Sequence, residues 1–148
     1  MDGQSPRPNT ASRGYPDHAY PHQELTGKII EASFTVFRAF GYGFLESVYR
    51  RALAVELEYQ GVRVAQEVRY EMFHRGVSVG VYKADLVAEQ IVIVETKTGP
   101  RPDPHAPEQV LNCLCAAHLT LGLFVYFGPK GARVRRVIKS ETGRVTYA

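Results

Sequence analysis

The stretch that decides the fold is residues 91–97, Ile-Val-Ile-Val-Glu-Thr-Lys. Four consecutive β-branched residues predict a buried strand. Because alternate side chains of a strand leave the same face, Glu95 and Lys97 are expected on the face that carries Ile91 and Ile93. An apolar face that ends in a carboxylate and an ammonium group predicts that this strand delivers the two charges into a cleft.

The segment just before it, residues 84–88 (ADLVA), contains a second acidic residue, Asp85. The two segments are predicted to form a hairpin around Glu89 and Gln90. A two-residue loop would place Asp85 opposite Val94, on the wrong face, whereas a loop with an odd number of residues or a bulge would bring Asp85 and Glu95 to one face. A site built on both acids therefore requires an irregular connection.

Two carboxylates held close together repel each other unless a positive charge lies between them. Mg²⁺ prefers oxygen ligands, commonly one or two carboxylates with water and substrate phosphate, and a nearby lysine can stabilise the charge that develops on a phosphate. Asp85, Glu95 and Lys97 thus form a D…E-x-K set suited to phosphodiester cleavage. The alternative is that Glu95 and Lys97 are an exposed pair at a strand end, which would contribute little.

Two polar residues on predicted helices could extend this set. Glu46, in GFLESVY, lies among apolar positions at the start of a helix, where it is either a third acidic group near the metal or a charge that favours the helix N-terminus. Gln109, in PEQVLNCL, opens another helix and could hydrogen-bond a water or phosphate. For Gln109 alone, an exposed position in the first helical turn is the simpler interpretation.

The apolar spacing predicts three helices. Thr26 is expected to cap the first, which carries Ile29, Val36 and Phe40 on its apolar side. The second carries Leu45, Val48, Tyr49, Ala52, Leu53 and Leu57 and ends at Gly61. The third begins at Pro107 and ends at Gly122.

Six strands are predicted, in the order α-α-β-β-β-β-α-β-β, with residues 77–82 and 84–88 as separate strands and residues 128–140 as a turn and an edge strand. A helix between residues 91–97 and the buried segment 123–128 predicts a parallel crossover in a mostly antiparallel sheet. The predicted fold class is therefore α/β, a mixed sheet flanked by helices.

Composition limits the classes of protein. The chain has 148 residues, 45% of them hydrophobic, and a net charge of +3, which predicts one domain with its own core. Residues 1–23 are predicted to be a disordered tail and residues 24–148 a single domain. Cys113 and Cys115 are expected as small core residues of a cytoplasmic protein. No signal peptide and no apolar run long enough for a membrane span are predicted.

A basic cluster near the C-terminus is the other charged feature. Lys130, Arg133, Arg135 and Arg136 have few acidic neighbours in the sequence. They could contact the backbone phosphates of a nucleic acid, or they could keep an edge strand soluble.

With these residues in place, the chain resembles a known family. Gly43-x-x-Glu46-x-x-Tyr49 resembles the signature of the GxxExxY proteins of the PD-(D/E)XK nuclease superfamily. The segments LTGKIIEAS, GFLESVYRRALAVEL, ADLV, VIVETK, EQVLNCL and LGLFVYFG follow in the order of that family. The resemblance implies a restriction-endonuclease-like core and a nuclease that uses Mg²⁺, with Mn²⁺ as a substitute.

The resemblance also implies roles for individual residues. Asp85, Glu95 and the main-chain carbonyl of Thr96 would bind the metal, with Glu46 supporting it through water. Lys97 would be the catalytic lysine, and Gln109 would match a glutamine common in these nucleases. Packing on its helix is the expectation for Tyr49. The chain departs from the family at Phe37, Tyr42 and Ala106, which puts histidine-assisted steps and substrate contacts at those positions in doubt.

Three functions are consistent with this sequence. The first is a metal-dependent nuclease acting on nucleic acid, with DNA favoured over RNA and with a homodimer or a partner protein as the expected source of specificity. The second is an inactive module of the same fold that binds nucleic acid or a protein partner. The third is a small structural protein that dimerises through an exposed strand edge.

Overall fold

The computed structural model describes residues 22–140 and 145–147. The predicted tail, apart from His22 and Gln23, lies outside the described residues. Among them no helix is both long and apolar enough to cross a membrane. The structure contains nine elements: α1 (Gln23–Phe40), α2 (Glu46–Tyr59), β1 (Val64–His74), β2 (Val77–Ala88), β3 (Val92–Thr98), α3 (Ala106–Ala117), β4 (Leu121–Gly128), β5 (Gly131–Lys139) and β6 (Val145–Tyr147).

The strands form one six-stranded sheet in the order β1-β2-β3-β4-β5-β6. Its β3–β4 pair is parallel and the other pairs are antiparallel, so the predicted mixed sheet with a crossover through α3 is confirmed. Helices cover both faces. Leu86, Val94 and Leu123 pack with α1 and α2, on what we term the helix-pair face. Ile93, Phe124 and Val137 pack with α3, on the α3 face.

The prediction of two strands between residues 77 and 88 is wrong, because β2 is continuous. Its burial changes at Lys83: the first half is mostly exposed, and the half from Ala84 onwards is buried. The first half pairs with β1 alone, whereas Leu86–Ala88 pair with β1 on one side and β3 on the other. The change in composition at Lys83 therefore marks the point where the strand enters the core. The strand itself continues without a break across this point.

The connection between β2 and β3 has the odd length that the site requires. Ala88 pairs with Val92, which leaves a turn of three residues, 89–91, whose first two have positive φ angles. Ile93 lies on the α3 face as expected. Ile91 does not share that face, since it lies in the turn and packs against the helix-pair core.

Helix ends were predicted with mixed success. Gly61 follows α2 as expected, with φ 82°, and its N–H donates to the Glu58 carbonyl while Val62 N–H donates to Leu57, the bond pattern of a Schellman motif. Thr26 is not a cap, because α1 begins at Gln23 and the Thr26 hydroxyl donates to the Gln23 carbonyl inside the first turn.

Three other expectations are corrected by the structure. The prediction that Gly122 ends α3 is wrong, since Gly122 lies within β4. Leu45 and Phe40 are exposed, because they flank the loop between α1 and α2 instead of facing the sheet. The predicted edge strand β5 is paired by β6 at Val137–Lys139, an element that the sequence analysis missed.

At Gly122, α3 packs directly against the sheet, and this position provides a test of the packing. A Cβ atom there would overlap Cγ1 of Val110, a buried residue of α3. We expect Gly122→Ala to lower the free energy of unfolding by about 1–3 kcal/mol, as measured by urea denaturation. The matched control is Gly80→Ala, also in a strand, where a Cβ would meet nothing within 4 Å. Equal stability of the two variants would contradict this account.

Candidate active site

The site forms where β2 and β3 separate. Their pairing ends at Leu86 and Val94, and continuing the same register brings Asp85 opposite Glu95. Beyond that point the Asp85 side chain takes the place of a strand neighbour. Its Oδ2 accepts hydrogen bonds from the Thr96 N–H at 2.9 Å and from the Thr96 hydroxyl at 3.0 Å. Asp85 therefore satisfies a buried backbone donor that the departing strand leaves behind.

Glu95 is the strained member of the pair. Its side chain is 7% exposed, and its Oε2 is buried without a hydrogen-bond partner among the described residues. Burial, reinforced by the negative charge of Asp85, raises the pKa of Glu95 to about 8, although Lys97 acts in the opposite direction. The protein thus keeps a carboxyl group in a buried position, where a backbone hydrogen bond from Asp85 and the charge of Lys97 offset the cost of its ionisation only in part.

Lys97 lies two residues along β3 from Glu95, as the alternation predicted. In the register with β4, Glu95 is opposite Phe124 and Lys97 is opposite Tyr126. Phe124 and Tyr126 both belong to the α3 core, so Glu95 and Lys97 share the α3 face. The predicted delivery of both charges by one face of this strand is confirmed.

Glu46 approaches the same charges from α2. It is the first residue of that helix and is half-buried. Burial raises the pKa of Glu46, Asp85 raises it further, and the positive charges of Lys97 and Arg50 lower it. These charge interactions indicate that Glu46 lies near Asp85, Lys97 and Arg50.

Tyr49, one helical turn after Glu46, fixes the loop that leads into α2. Its ring stacks on Phe127 of β4, with centroids 4.5 Å apart and an interplanar angle of 8°. Its hydroxyl donates to the Gly41 carbonyl at 2.5 Å and accepts from the Phe44 N–H at 3.4 Å. Tyr49 therefore does more than pack on its helix, because it ties the start of α2, and with it Glu46, to the sheet.

Gln109 is in the first turn of α3, as predicted, and is exposed. Within the described part of the chain, no hydrogen bond joins its side chain to Asp85, Glu95 or Lys97. Likewise, no three His, Cys, Asp or Glu side chains of the described residues converge closely enough to hold a metal by themselves. A cation here would thus depend on Asp85 and Glu95 together with main-chain oxygen and water.

Two neighbours of the acids were missed by sequence reasoning. Cys113 is a core residue, as predicted, and burial together with the charges of Glu95 and Asp85 raises the pKa of its thiol to about 11. Arg50 follows Glu46 by four residues on α2, and its Nε is buried without a hydrogen-bond partner among the described residues. The spacing of Glu46 and Arg50 was a usable signal, since residues four apart on a helix are neighbours.

The basic cluster is divided by the sheet. Arg135 pairs with Phe124 and Arg133 with Tyr126, so these two arginines share the α3 face with Glu95 and Lys97. Arg136 pairs with Leu123 and so belongs to the helix-pair face, while Lys130 lies in the turn between β4 and β5. A groove of about 520 Å³ borders Arg133 and Arg135 and is also lined by Phe34, Pro102, Asp103, Pro104, Pro107, Phe124, Tyr126, Ala132 and Val134.

The raised pKa of Glu95 makes a prediction about stability. Between its unfolded value of 4.5 and its folded value of about 8, the folded protein retains a proton that the unfolded chain has lost, so the free energy of unfolding falls as pH rises through this range. Glu95→Gln removes that loss. In chelator at pH 8 we expect the variant to be more stable than the wild type by on the order of 3 kcal/mol, and at pH 4.5 to be similar to it.

Urea denaturation at the two pH values measures this difference. The matched control is Glu31→Gln, at an exposed position of α1, which should follow the wild type at both pH values. If the free energy of unfolding of Glu95→Gln differs from that of the wild type by the same amount at both pH values, Glu95 is ionised in the folded protein.

Solved structures and a protein family are similar to this chain. No curated protein matches the chain. Two solved structures are similar in part. The crystal structure of SSO0001 is 21% identical with a TM-score of 0.48, and the match covers 61% of this chain and 48% of that one, so the chain spans about half the length of that structure. An alkaline exonuclease (LHK-Exo) from Laribacter hongkongensis is 13% identical with a TM-score of 0.49, covering 84% and 72%.

The family comparison is more extensive. A family model described as the PD-(D/E)XK nuclease superfamily matches residues 23–137, which include every element from α1 to β4, most of β5 and the whole D…E-x-K set. The match is to the superfamily and does not separate out the GxxExxY group, which stays a prediction. The chain belongs to the PD-(D/E)XK nuclease superfamily.

Proposed function

We propose that this protein is a metal-dependent nuclease that hydrolyses phosphodiester bonds in nucleic acid at the opening between β2 and β3. Membership of the nuclease superfamily supports nuclease activity in general. The observation that carries the specific proposal is the buried, unpartnered Oε2 of Glu95 beside Asp85. An arrangement of this kind is costly in a protein unless a cation compensates it.

The donor set fits a hard divalent cation, Mg²⁺ or Mn²⁺ as its substitute. Asp85 and Glu95 supply carboxylate oxygens, which these ions prefer. Because the N–H and C=O of a strand residue leave the same edge, the Thr96 carbonyl is directed to the side where Asp85 receives the Thr96 N–H. When bound, the cation neutralises the carboxylates and supplies Lewis-acid activation of water and phosphate.

The chain's own residues complete the chemistry. Lys97, on the same face as Glu95, holds a positive charge where it can stabilise a phosphate oxygen as negative charge develops on it. Glu46 accepts hydrogen bonds from water at the other side of the opening. Arg50 pairs with Glu67 and adds positive charge near Glu46, which favours an anionic phosphate on this side of the site. Gln109 is proposed as a further substrate contact at the start of α3.

The nuclease proposal is tested by cleavage of labelled DNA and RNA, each single- and double-stranded, in Mg²⁺, Mn²⁺ or chelator. We expect cleavage with either metal, with DNA as the better substrate, and none in chelator. Asp85→Asn, Glu95→Gln and Lys97→Ala should each lower the rate by roughly 100-fold or more, because each removes a charge that acts at the reacting phosphate.

The matched control is Lys28→Ala, because Lys28 forms a surface pair with Glu24 on α1. This variant should cleave at the wild-type rate. Circular dichroism and urea denaturation establish that each variant is folded. Cleavage in chelator, or cleavage that survives all three substitutions, would contradict the mechanism.

We further propose that Arg133 and Arg135 bind backbone phosphates of the substrate, since they lie on the face that carries Glu95 and Lys97. Changing both to alanine should weaken binding to DNA of any sequence and reduce the slope of log affinity against log salt by about 2. Fluorescence anisotropy across a salt series measures both effects. Arg51→Ala, at an exposed position of α2, is the control, and an unchanged salt slope in the double variant would refute this role.

A further inference from the structure

The outer edge of β1 is open in the described structure. β1 is the first strand of the sheet, and β2 occupies its inner side. Proteins commonly protect such an edge with proline, lysine, a short strand or a bulge. β1 is 11 residues long and contains neither proline nor lysine; the charges that it carries, on Glu67, Arg69 and Glu71, are of both signs. The strand is irregular at Glu67, where φ is 51°, and its register with β2 shifts between Met72 and Phe73, so the regular stretch Val68–Met72 is available to another strand.

A second copy of the same chain can pair with this edge across a two-fold axis. For two identical antiparallel strands the axis is normal to the sheet, so each residue and its opposite number must lie on the same face. Because faces alternate along a strand, facing residues must be separated by an even number. The allowed registers are therefore those in which one residue lies opposite itself.

Charge selects among these registers. Centring the pair on Arg69 would place two arginines together, and centring it on Glu71 would place two glutamates together. Centring it on Tyr70 places Arg69 of each copy opposite Glu71 of the other, which gives two opposite-charge pairs, and also places Val68 opposite Met72. A register centred on Val68 would use Glu67, which is already paired with Arg50 and Lys83.

The exposed side chains of the hairpin agree with the register centred on Tyr70. Arg69 and Glu71 are both exposed, and neither forms an ion pair within the described residues. Phe73 and Val79 are 64% and 65% exposed, an unusual concentration of apolar surface on one hairpin. In this register Phe73 lies beside residue 67 of the second copy, which removes part of that surface from water.

We propose that β1 joins two copies of this chain into a dimer with one continuous sheet, in the register that places Arg69 opposite Glu71. Because Arg69 and Glu71 carry opposite charges, reversing the charge of either one turns the attraction between the two copies into repulsion. Arg69→Glu places two glutamates together on each side of the axis, and Glu71→Arg places two arginines together. Each variant therefore repels itself, yet the two variants complement each other.

The test uses sedimentation equilibrium of the full chain over a range of concentrations. The wild type is expected to dimerise, and each single variant to show a dimer dissociation constant raised roughly tenfold or more. Mixing Arg69→Glu with Glu71→Arg should restore dimers, as should the double variant Arg69→Glu/Glu71→Arg. Arg51→Glu, the same charge change at an exposed position of α2, should behave as the wild type.

Three outcomes would overturn the proposal: a wild type that remains monomeric, single variants that dimerise as the wild type does, or variants that fail to recombine when mixed. Recovery on mixing cannot come from misfolded protein, so a loss of dimer through unfolding is distinguished from a loss through repulsion. If Arg69→Glu weakens nucleic-acid binding while the wild type is monomeric, the strand serves a nucleic acid and the dimer is refuted.

Discussion

The structure depends on one side-chain interaction, the Asp85 carboxylate on the Thr96 N–H and hydroxyl. A buried strand that loses its neighbour leaves N–H groups without partners, at a cost of about 1–3 kcal/mol each. Asp85 supplies the missing acceptor, so β2 can leave β3 while Thr96 stays buried. The opening that results is the place where Glu95, Lys97 and, from α2, Glu46 come within reach of one another.

This interaction occupies the Asp85 carboxylate and leaves the charge of Glu95 only partly compensated. Burial raises the pKa of Glu95 to about 8, and one of its oxygens has no hydrogen-bond partner within the described residues. A purely structural position would be better filled by a glutamine or an apolar side chain, since a buried carboxylate lowers stability as soon as it ionises. Perturbed groups of this kind concentrate at functional sites. The cost of Glu95 is therefore the strongest physical argument that the site binds a cation.

The alternation of strand residues predicted the positions of Glu95 and Lys97. For Asp85, the sequence predicted only that the loop before β3 must have an odd length or a bulge. The period of two placed Glu95 and Lys97 on one face, which the structure confirms. It could not fix the loop before β3, because loops of two and three residues differ by one residue and reverse the face of Asp85. The structure has three residues in that turn, and the condition is met.

Features that depend on contacts between distant segments were not predictable. Tyr49 and Phe127 are far apart in sequence, so their stacking and its effect on the loop before α2 are visible only in the folded chain. Cys113 was correctly predicted to be a core residue from its apolar helix, but only the folded crossover brings it near the acids. The strand break wrongly predicted near Lys83 also reflects contacts with distant segments. Burial by other elements changes at Lys83, whereas the pairing of β2 with β1 continues through it.

That change along β2 links the candidate site to the proposed dimer. The inner half of the strand is buried and carries Asp85, and the outer half leaves the core and supports β1. Because hydrogen bonds to β1 resume immediately beyond Asp85, at Ala84 and Lys83, the strand leaves β3 without leaving the sheet. A second copy paired with β1 would restrain the hairpin formed by β1 and the exposed half of β2. That hairpin determines the direction in which β2 leaves β3. The point where β2 and β3 separate, beside the buried Asp85 and Glu95, is thus set on one side by Thr96 and on the other by the strand that the dimer would brace.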